Sequence, residues 1–254
     1  NKILINTLKG FTEFLEKNKP DLVIVHGDRV EPLACAMASV LRNVKIAHVE
    51  GGEVSGTVDE ILRHAISKLS HIHFVSNKIA KNRLLQMGEN KNNIFVVGSP
   101  DVDLILKKDL PKLTEVKHRY GISFQEYSIS ILHPVTTDIS NLKEEAQIYF
   151  QALKESKKKF IVTYPNNDLG SDIILKEIKK ISSNDNFTVI PSLRFEYFLT
   201  LLKNSSFIIG NSSCGIMEAP YYGVPTINIG DRQKNRLNSN RLINIEFKKK
   251  IILK

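Results

Sequence analysis

One pattern recurs along the chain and restricts its fold more than any other feature. A short β-branched apolar run gives way to a turn rich in Gly, Asp, Asn or Ser, and then to a stretch of helical periodicity. Asp21-Leu-Val-Ile-Val25 leads into His26-Gly-Asp-Arg29 and a predicted helix from about Val30 to Leu41. Lys45-Ile-Ala-His-Val49 leads into Glu50-Gly-Gly-Glu53 and a helix from about Asp59 to Leu69, and His71–Val75 and Asn93–Val97 follow, the last ending at Gly98-Ser-Pro100. Such apolar runs predict strands buried on both faces of a parallel sheet.

The weakly patterned, charged stretch from Lys107 to Tyr120 reads as an interdomain connection. The rhythm then restarts with Tyr127–Leu132 before His133-Pro134, Phe160–Tyr164 before Pro165-Asn-Asn167, and Phe187–Ile190 before Pro191-Ser192. Phe207–Ile209 precedes Gly210-Asn-Ser-Ser213, and Pro225–Ile229 precedes Gly230-Asp-Arg232. The expected fold is α/β, with two Rossmann-like doubly wound domains facing a cleft, a partial first domain over residues 1–115 and a second over 116–254. The opening Asn1-Lys-Ile-Leu-Ile5 carries neither an initiator Met nor a signal-peptide pattern, and reads as part of a longer chain.

Composition excludes several classes. Among 254 residues only Cys35 and Cys214 are thiols, which excludes a disulfide scaffold and favours a reducing, cytoplasmic setting. No apolar run approaches the roughly 20 residues of a membrane helix. The net charge of +9 could suit nucleic acid, but the cations are scattered, Trp is absent and no aromatic-interleaved basic stripe exists. A solvated surface or a general attraction for anionic ligands explains the charge better.

In open parallel sheets ligands bind beyond the carboxyl ends of the strands. The first half supplies Asp28, Glu50, Glu53 and Asp59 there, and the second supplies His133, Asn166, Asn167, Asn211, Ser212 and Ser213. Three acids at neighbouring strand ends suit acid/base chemistry, although each could instead cap a helix or pair with Arg29 or Arg63. Gly210-Asn-Ser-Ser-Cys-Gly215 puts N–H groups and hydroxyls at a helix start, an anion-binding arrangement that plain N-capping by Asn211 or Ser212 would equally explain. It matches neither dinucleotide nor P-loop spacing, and no G-x-S-x-G elbow supports a serine hydrolase. His71 and His73 share a strand face without an evident third ligand, so no metal is expected.

These residues resemble the UDP-N-acetylglucosamine 2-epimerase family, and specifically its hydrolysing branch, which serves sialic and related nonulosonic acid synthesis. The stretches that carry the resemblance are His26–Arg29, His48–Gly56 continuing through Thr57 to Asp59, Arg63–Ile66 and Lys68–His71. Leu132-His-Pro-Val-Thr-Thr-Asp138, Tyr164–Asn166 with Gly170-Ser171, Gly210–Gly215, Glu218 and Ile227–Gly230 with Arg232 continue it in order. The branch assignment rests on Gly51-Gly-Glu-Val-Ser-Gly56 and Asp59, where the other branch usually has Ala-Gly-Leu-Arg and Pro-Glu-Glu.

The resemblance implies a glycosyltransferase-B-like fold, a UDP-sugar substrate in the interdomain cleft, a homodimer, and neither cofactor nor metal. It implies Asp28, Glu50 and Asp59 as catalytic acids and His133 as the histidine from the second lobe. Arg29, Glu53, Arg63 and Asn166 fall among the substrate-binding positions. Ser212 and Ser213, beside Asn211, match the diphosphate loop, Glu218 the residue that holds the ribose, and Arg232 faces the phosphates. The uracil is expected against the Pro191-Ser192-Leu193 turn and Phe195. The family's first strand and Arg-containing loop are expected before Asn1. The implied reaction is elimination of UDP with loss of the C2 proton, then hydration of the glucal to free N-acetylmannosamine or a modified relative. A glycosyltransferase of the same fold and a non-catalytic nucleotide-sugar sensor are the alternatives.

Overall fold

The computed structural model describes residues 2–55, 58–107, 109–136, 139–233 and 241–253. Gly56, Thr57, Thr137 and Asp138 of the resembling stretches lie outside the described residues. The chain divides into two compact units, Asn1–Val102 and Asp103–Lys254.

The first unit runs α1 (Lys2–Asn18), β1 (Leu22–His26), α2 (Val30–Val40), β2 (Lys45–Val49), α3 (Val58–Leu69), β3 (Ile72–Val75), α4 (Lys78–Gln86) and β4 (Ile94–Val96), and α5 (Pro100–Ile105) follows. The strands form one parallel sheet in the order β1-β2-β3-β4. On one face Val23, Val25 and Ile46 pack against Leu15 of α1 and Ala36 and Ala38 of α2, where small residues let helix and sheet approach closely. Asn77 starts α4 by accepting from the Ala80 N–H at 2.9 Å. Burial on both faces holds only in part: in β1 Leu22 and Ile24 are exposed, and in β4 Phe95 and Val96 are. Among the described residues both strands lie at the edges of the sheet, with a single strand neighbour.

The second unit runs α6 (Leu113–Arg119), β5 (Ser128–Ile131), α7 (Leu142–Glu155), β6 (Phe160–Thr163), α8 (Ser171–Ile181), β7 (Phe187–Ile190), α9 (Phe195–Lys203), β8 (Ile208–Gly210), α10 (Cys214–Met217), β9 (Thr226–Ile229), β10 (Leu242–Ile245) and α11 (Lys249–Ile252). All six strands are parallel, in the order β10-β9-β8-β5-β6-β7. The chain winds outward from β5 through β6 to β7, then returns to β8 on the other side, so the strand order reverses between β5 and β8. Apolar clusters line both faces of this sheet. The hydroxyl of Ser130, buried in β5, lies 2.8 Å from Tyr149 Oη, which in turn donates to the Ile209 carbonyl at 3.1 Å. A polar residue in a central strand is thereby satisfied.

These are two Rossmann-like parallel α/β units, the architecture expected from the sequence. The structural division lies thirteen residues before the expected boundary at 115/116, at Val102/Asp103. The stretch read as a connection is built into the second unit. Ile105 and Val116 are buried beside Leu199 and Leu202, Thr200 Oγ1 donates to the Pro111 carbonyl at 2.9 Å, and Tyr222 Oη donates to the Ile105 carbonyl at 2.7 Å.

Candidate active site

In the first unit the predicted acids stand on the loops that follow β1 and β2 and on the first turn of α3. Asp28 accepts a hydrogen bond from Arg63 Nη2, and Arg63 Nη1 donates to the Glu53 carbonyl at 2.8 Å. The Arg63 side chain is only 6% exposed, so this guanidinium is desolvated and fixed between two loops. Arg29 Nη1 lies 3.9 Å from Asp59 Oδ1. The Glu53 carboxylate accepts from Asn77 Nδ2 at 2.7 Å. The alternative of arginine pairing is therefore realised for Asp28 and Asp59, each with its own arginine.

Glu50 has a different environment. Its backbone is left-handed, with φ of 66°, and its N–H donates to the Phe74 carbonyl at 2.8 Å. One carboxylate oxygen lies 2.9 Å from His26 Nε2, and the other accepts from the Ser99 hydroxyl. Burial alone would raise the carboxyl's pKa, but the bonds from His26 and Ser99 and the charges of His26 and Arg63 outweigh it and hold it below the usual value. The bond to Glu50 in turn raises His26. Asp101 is raised, first by burial and then by the negative charge of Glu50.

Beneath this cluster His48 is fully buried, 2.8 Å from the Gly27 carbonyl through Nε2 and 3.0 Å from Ser67 Oγ through Nδ1. Burial lowers it to about 4, so the ring is neutral. A carbonyl can only accept, so the proton sits on Nε2, while the Ser67 hydroxyl beside Nδ1 also lies 3.0 Å from the Arg63 carbonyl. His48 thus fixes the peptide preceding Asp28. The following Gly51-Gly52 pair is a steric necessity: a Cβ on Gly52, whose φ is 79°, would stand 2.5 Å from the Ala80 carbonyl oxygen.

In the second unit His133, Asn166, Asn211 and Arg232 are brought together where the strand order reverses. Asn211, 1% exposed, accepts from the His133 N–H at 2.7 Å and donates to the His133 carbonyl at 2.8 Å. His133 Nδ1 accepts from the Asn166 N–H at 3.1 Å. The Asn211 carbonyl accepts from Arg232 Nη1 at 3.2 Å and Gln233 Nε2 at 2.9 Å. Gly210 permits this approach, since a Cβ there would stand 1.8 Å from the Ile131 carbonyl oxygen.

The expected helix start after Ser213 is a single turn, Cys214–Met217, and Ser213 provides no side-chain cap. Asn211 does not cap it either, its amide being engaged with His133. With so short a helix the macrodipole is small, and the N–H groups of Ile216 and Met217 return to the Ser213 carbonyl, each at 2.8 Å. Anion binding here would rest on the loop and on Ser212, whose hydroxyl lies 3.1 Å from Cys214 Sγ. Glu218 closes the turn, and its charge adds to burial in raising the Cys214 thiol to about 12. Ser192 and Phe195 stand after β7, two strands from the reversal, with Phe195 stacked on Phe198 at 6.4 Å between centroids.

Among the described residues His71 and His73 belong to no group of three or more metal-ligating side chains: His71 Nδ1 accepts from the Ile46 N–H at 3.2 Å, and His73 Nε2 lies 3.2 Å from Glu89 Oε2. The structure adds Ser99, Asp101 and Gln233 to the neighbourhood of the predicted residues. Each follows an apolar run, so the strand-end rule applied evenly would have included them.

A family model described as UDP-N-acetylglucosamine 2-epimerase matches residues 1–254. The chain is 48% identical over 250 residues to the UDP-N-acetylglucosamine 2-epimerase of Neisseria meningitidis serogroup B, covering 98% of this chain and 66% of that protein. It is 38% identical over 246 residues to the UDP-N,N'-diacetylbacillosamine 2-epimerase (hydrolyzing) of Legionella pneumophila, covering 96% of this chain and 65% of that protein. The chain thus spans just under two thirds of the length of these curated relatives. Among solved structures it matches the Methanocaldococcus jannaschii UDP-GlcNAc 2-epimerase in complex with UDP-GlcNAc and UDP, with a TM-score of 0.81 at 27% identity, over 98% of this chain and 72% of that one.

Proposed function

The chain belongs to the UDP-N-acetylglucosamine 2-epimerase family, and from that premise we propose that its protein is a hydrolysing 2-epimerase acting on UDP-N-acetylglucosamine or a modified relative. The observation that carries the reading is the placement of Asp28 and Glu50 on the loops that follow β1 and β2 and of Asp59 on the first turn of α3, each with a cationic or hydroxyl partner. A C2 proton is weakly acidic, and its removal needs carboxylates held in a defined environment. A carboxylate takes the C2 proton, the bond from C1 to the diphosphate oxygen breaks, and UDP leaves with the electron pair. Water then adds across the glucal, its hydroxyl to C1 and a proton to C2, which gives the free 2-epimeric sugar.

The second unit supplies the nucleotide's partners in this reading: Ser212, Ser213 and Arg232 for the diphosphate, Glu218 for the ribose, and Ser192 and Phe195 for the base. His133 is the fourth catalytic group of this reading. Arg29, Glu53, Arg63, Asn166 and Asn211 hold substrate or the groups that touch it. Gly51-Gly52-Glu53 with Asp59 supports the hydrolysing branch, as does the likeness to the hydrolysing Legionella enzyme. The reading includes a homodimer and a cytoplasmic setting, which the free thiols of Cys35 and Cys214 suit.

The test is proton NMR of the full-length protein with UDP-N-acetylglucosamine in heavy water. The expected products are UDP and free N-acetylmannosamine deuterated at C2. UDP-N-acetylmannosamine would move the protein to the non-hydrolysing branch, and sugar transfer without C2 exchange would make it a glycosyltransferase.

A further inference from the structure

The loop after β4 contributes a group that the proposed chemistry has not used. Ser99 lies between Gly98 and Pro100, the residue that opens α5, and its hydroxyl reaches a carboxylate oxygen of Glu50, 49 positions earlier in the chain. The other oxygen of Glu50 lies 2.9 Å from His26 Nε2. In the sheet order Glu50 follows β2, β1 carries His26, and Ser99 follows the far edge strand β4. The carboxylate is thus gripped from both sides of its own strand. One bond would leave it free to swing about the His26 contact, and two fix the plane of the group. A base acts only when the reacting atoms meet within about 3–3.5 Å and in line, so orientation of this carboxylate bears directly on rate.

We propose that Ser99 is a positioning residue for the reaction, acting through Glu50 by holding its carboxylate in a single orientation. The inference rests on the acid–base reading of the first unit given above. The charged groups that face Glu50 are His26 and Arg63, which favour its carboxylate, and Asp101, which opposes it; Asp28 acts on His26 beside it. Ser99 adds no charge, so its removal changes geometry and one hydrogen bond while leaving the electrostatic surroundings in place.

The experiment compares Ser99→Ala and Ser99→Thr with wild type in the full-length protein. Ser99→Ala lowers kcat on the order of 10-fold with KM nearly constant. It also moves the acid limb of the kcat/KM profile to higher pH, because Glu50 loses one of the bonds that hold its proton affinity down. Ser99→Thr, which keeps the hydroxyl, restores both. Wild-type kcat and pH profile in Ser99→Ala would overturn the proposal, and so would a Thr variant as impaired as Ala. NMR titration of the His26 ring gives a readout free of turnover: in Ser99→Ala the more basic Glu50 raises the His26 pKa further, and an unmoved His26 overturns the inference. A wild type that binds UDP yet turns over no nucleotide sugar defeats the functional reading instead, and the His26 titration then decides the Ser99 contact alone.

Discussion

The side chain of Asn211 grips the backbone of His133 at both ends of the same residue, its Oδ1 accepting the His133 N–H at 2.7 Å and its Nδ2 donating to the His133 carbonyl at 2.8 Å. This joins the ends of β5 and β8 where ladder pairing stops at Ile131 and Gly210. The point where strand order reverses in an open sheet opens a crevice, and Asn211 fixes the backbone there while His133 Nδ1 takes the Asn166 N–H. One amide thus sets the position of the histidine that the proposed chemistry draws from the second unit.

Asn211→Ala leaves the half-buried N–H and carbonyl of His133 without this partner. The expected cost is about 2 kcal/mol, from the low end of roughly 1–3 kcal/mol for each of two unpaired groups. Urea unfolding of the full-length variant would show it as a lower midpoint with an unchanged slope. A shift under about 0.5 kcal/mol, the ordinary size for a surface substitution, would mean that the clasp does not set stability.

Much of this arrangement was legible in the sequence because both sheets are parallel, and their apolar runs with polar ends mark the strands and the ligand-facing loops together. Asp28, Glu50, His133 and Asn211 follow such runs directly, and Asp59 opens the next helix. The position of Ser99 at a strand end was legible but its role was not, since its partner Glu50 is 49 positions away. The α6 helix was hidden by its charge, with Leu113 and Val116 its only apolar residues to face a core. The single-turn length of α10 follows from Pro220, which cannot continue a helix. The short β10, Leu242–Ile245, fell among polar and basic neighbours.

Histidine 48 predicts how stability depends on acid. Its folded pKa of about 4 lies below the ordinary 6.5 because the ring is buried. Between those values the unfolded chain binds a proton that the folded chain does not, so stability falls as pH drops from 6.5 toward 4. The full difference is on the order of 3 kcal/mol. His48→Gln keeps a donor for the Gly27 carbonyl and cannot titrate, so its unfolding free energy should lose this part of the slope. Equal slopes for wild type and variant by urea unfolding across that window would remove His48 as the cause.

Ser213→Ala tests the diphosphate loop. The loop leads into a single helical turn, so its hydroxyls carry more of any anion binding than a long helix would require. Loss of one hydroxyl contact to a charged phosphate, worth about 1.5–3 kcal/mol, should weaken UDP on the order of 10-fold or more by calorimetry. Unchanged UDP affinity would take Ser213 out of the nucleotide site.

Asp59→Asn separates chemistry from architecture. Asp59 sits in the first turn of α3, 3.9 Å from Arg29, with a side chain 17% exposed. An ion pair of that length near solvent is worth about 0–1 kcal/mol, and Asn matches Asp in size, so the fold should tolerate the change. Asn cannot take up a proton, so turnover should fall by about 10²–10⁴ while UDP affinity stays within about two-fold. Turnover and UDP binding measured on the same preparation decide the matter. A parallel loss of both would make Asp59 a residue that orders Arg29 and the start of α3, and the proton transfer would then belong to Asp28 or Glu50.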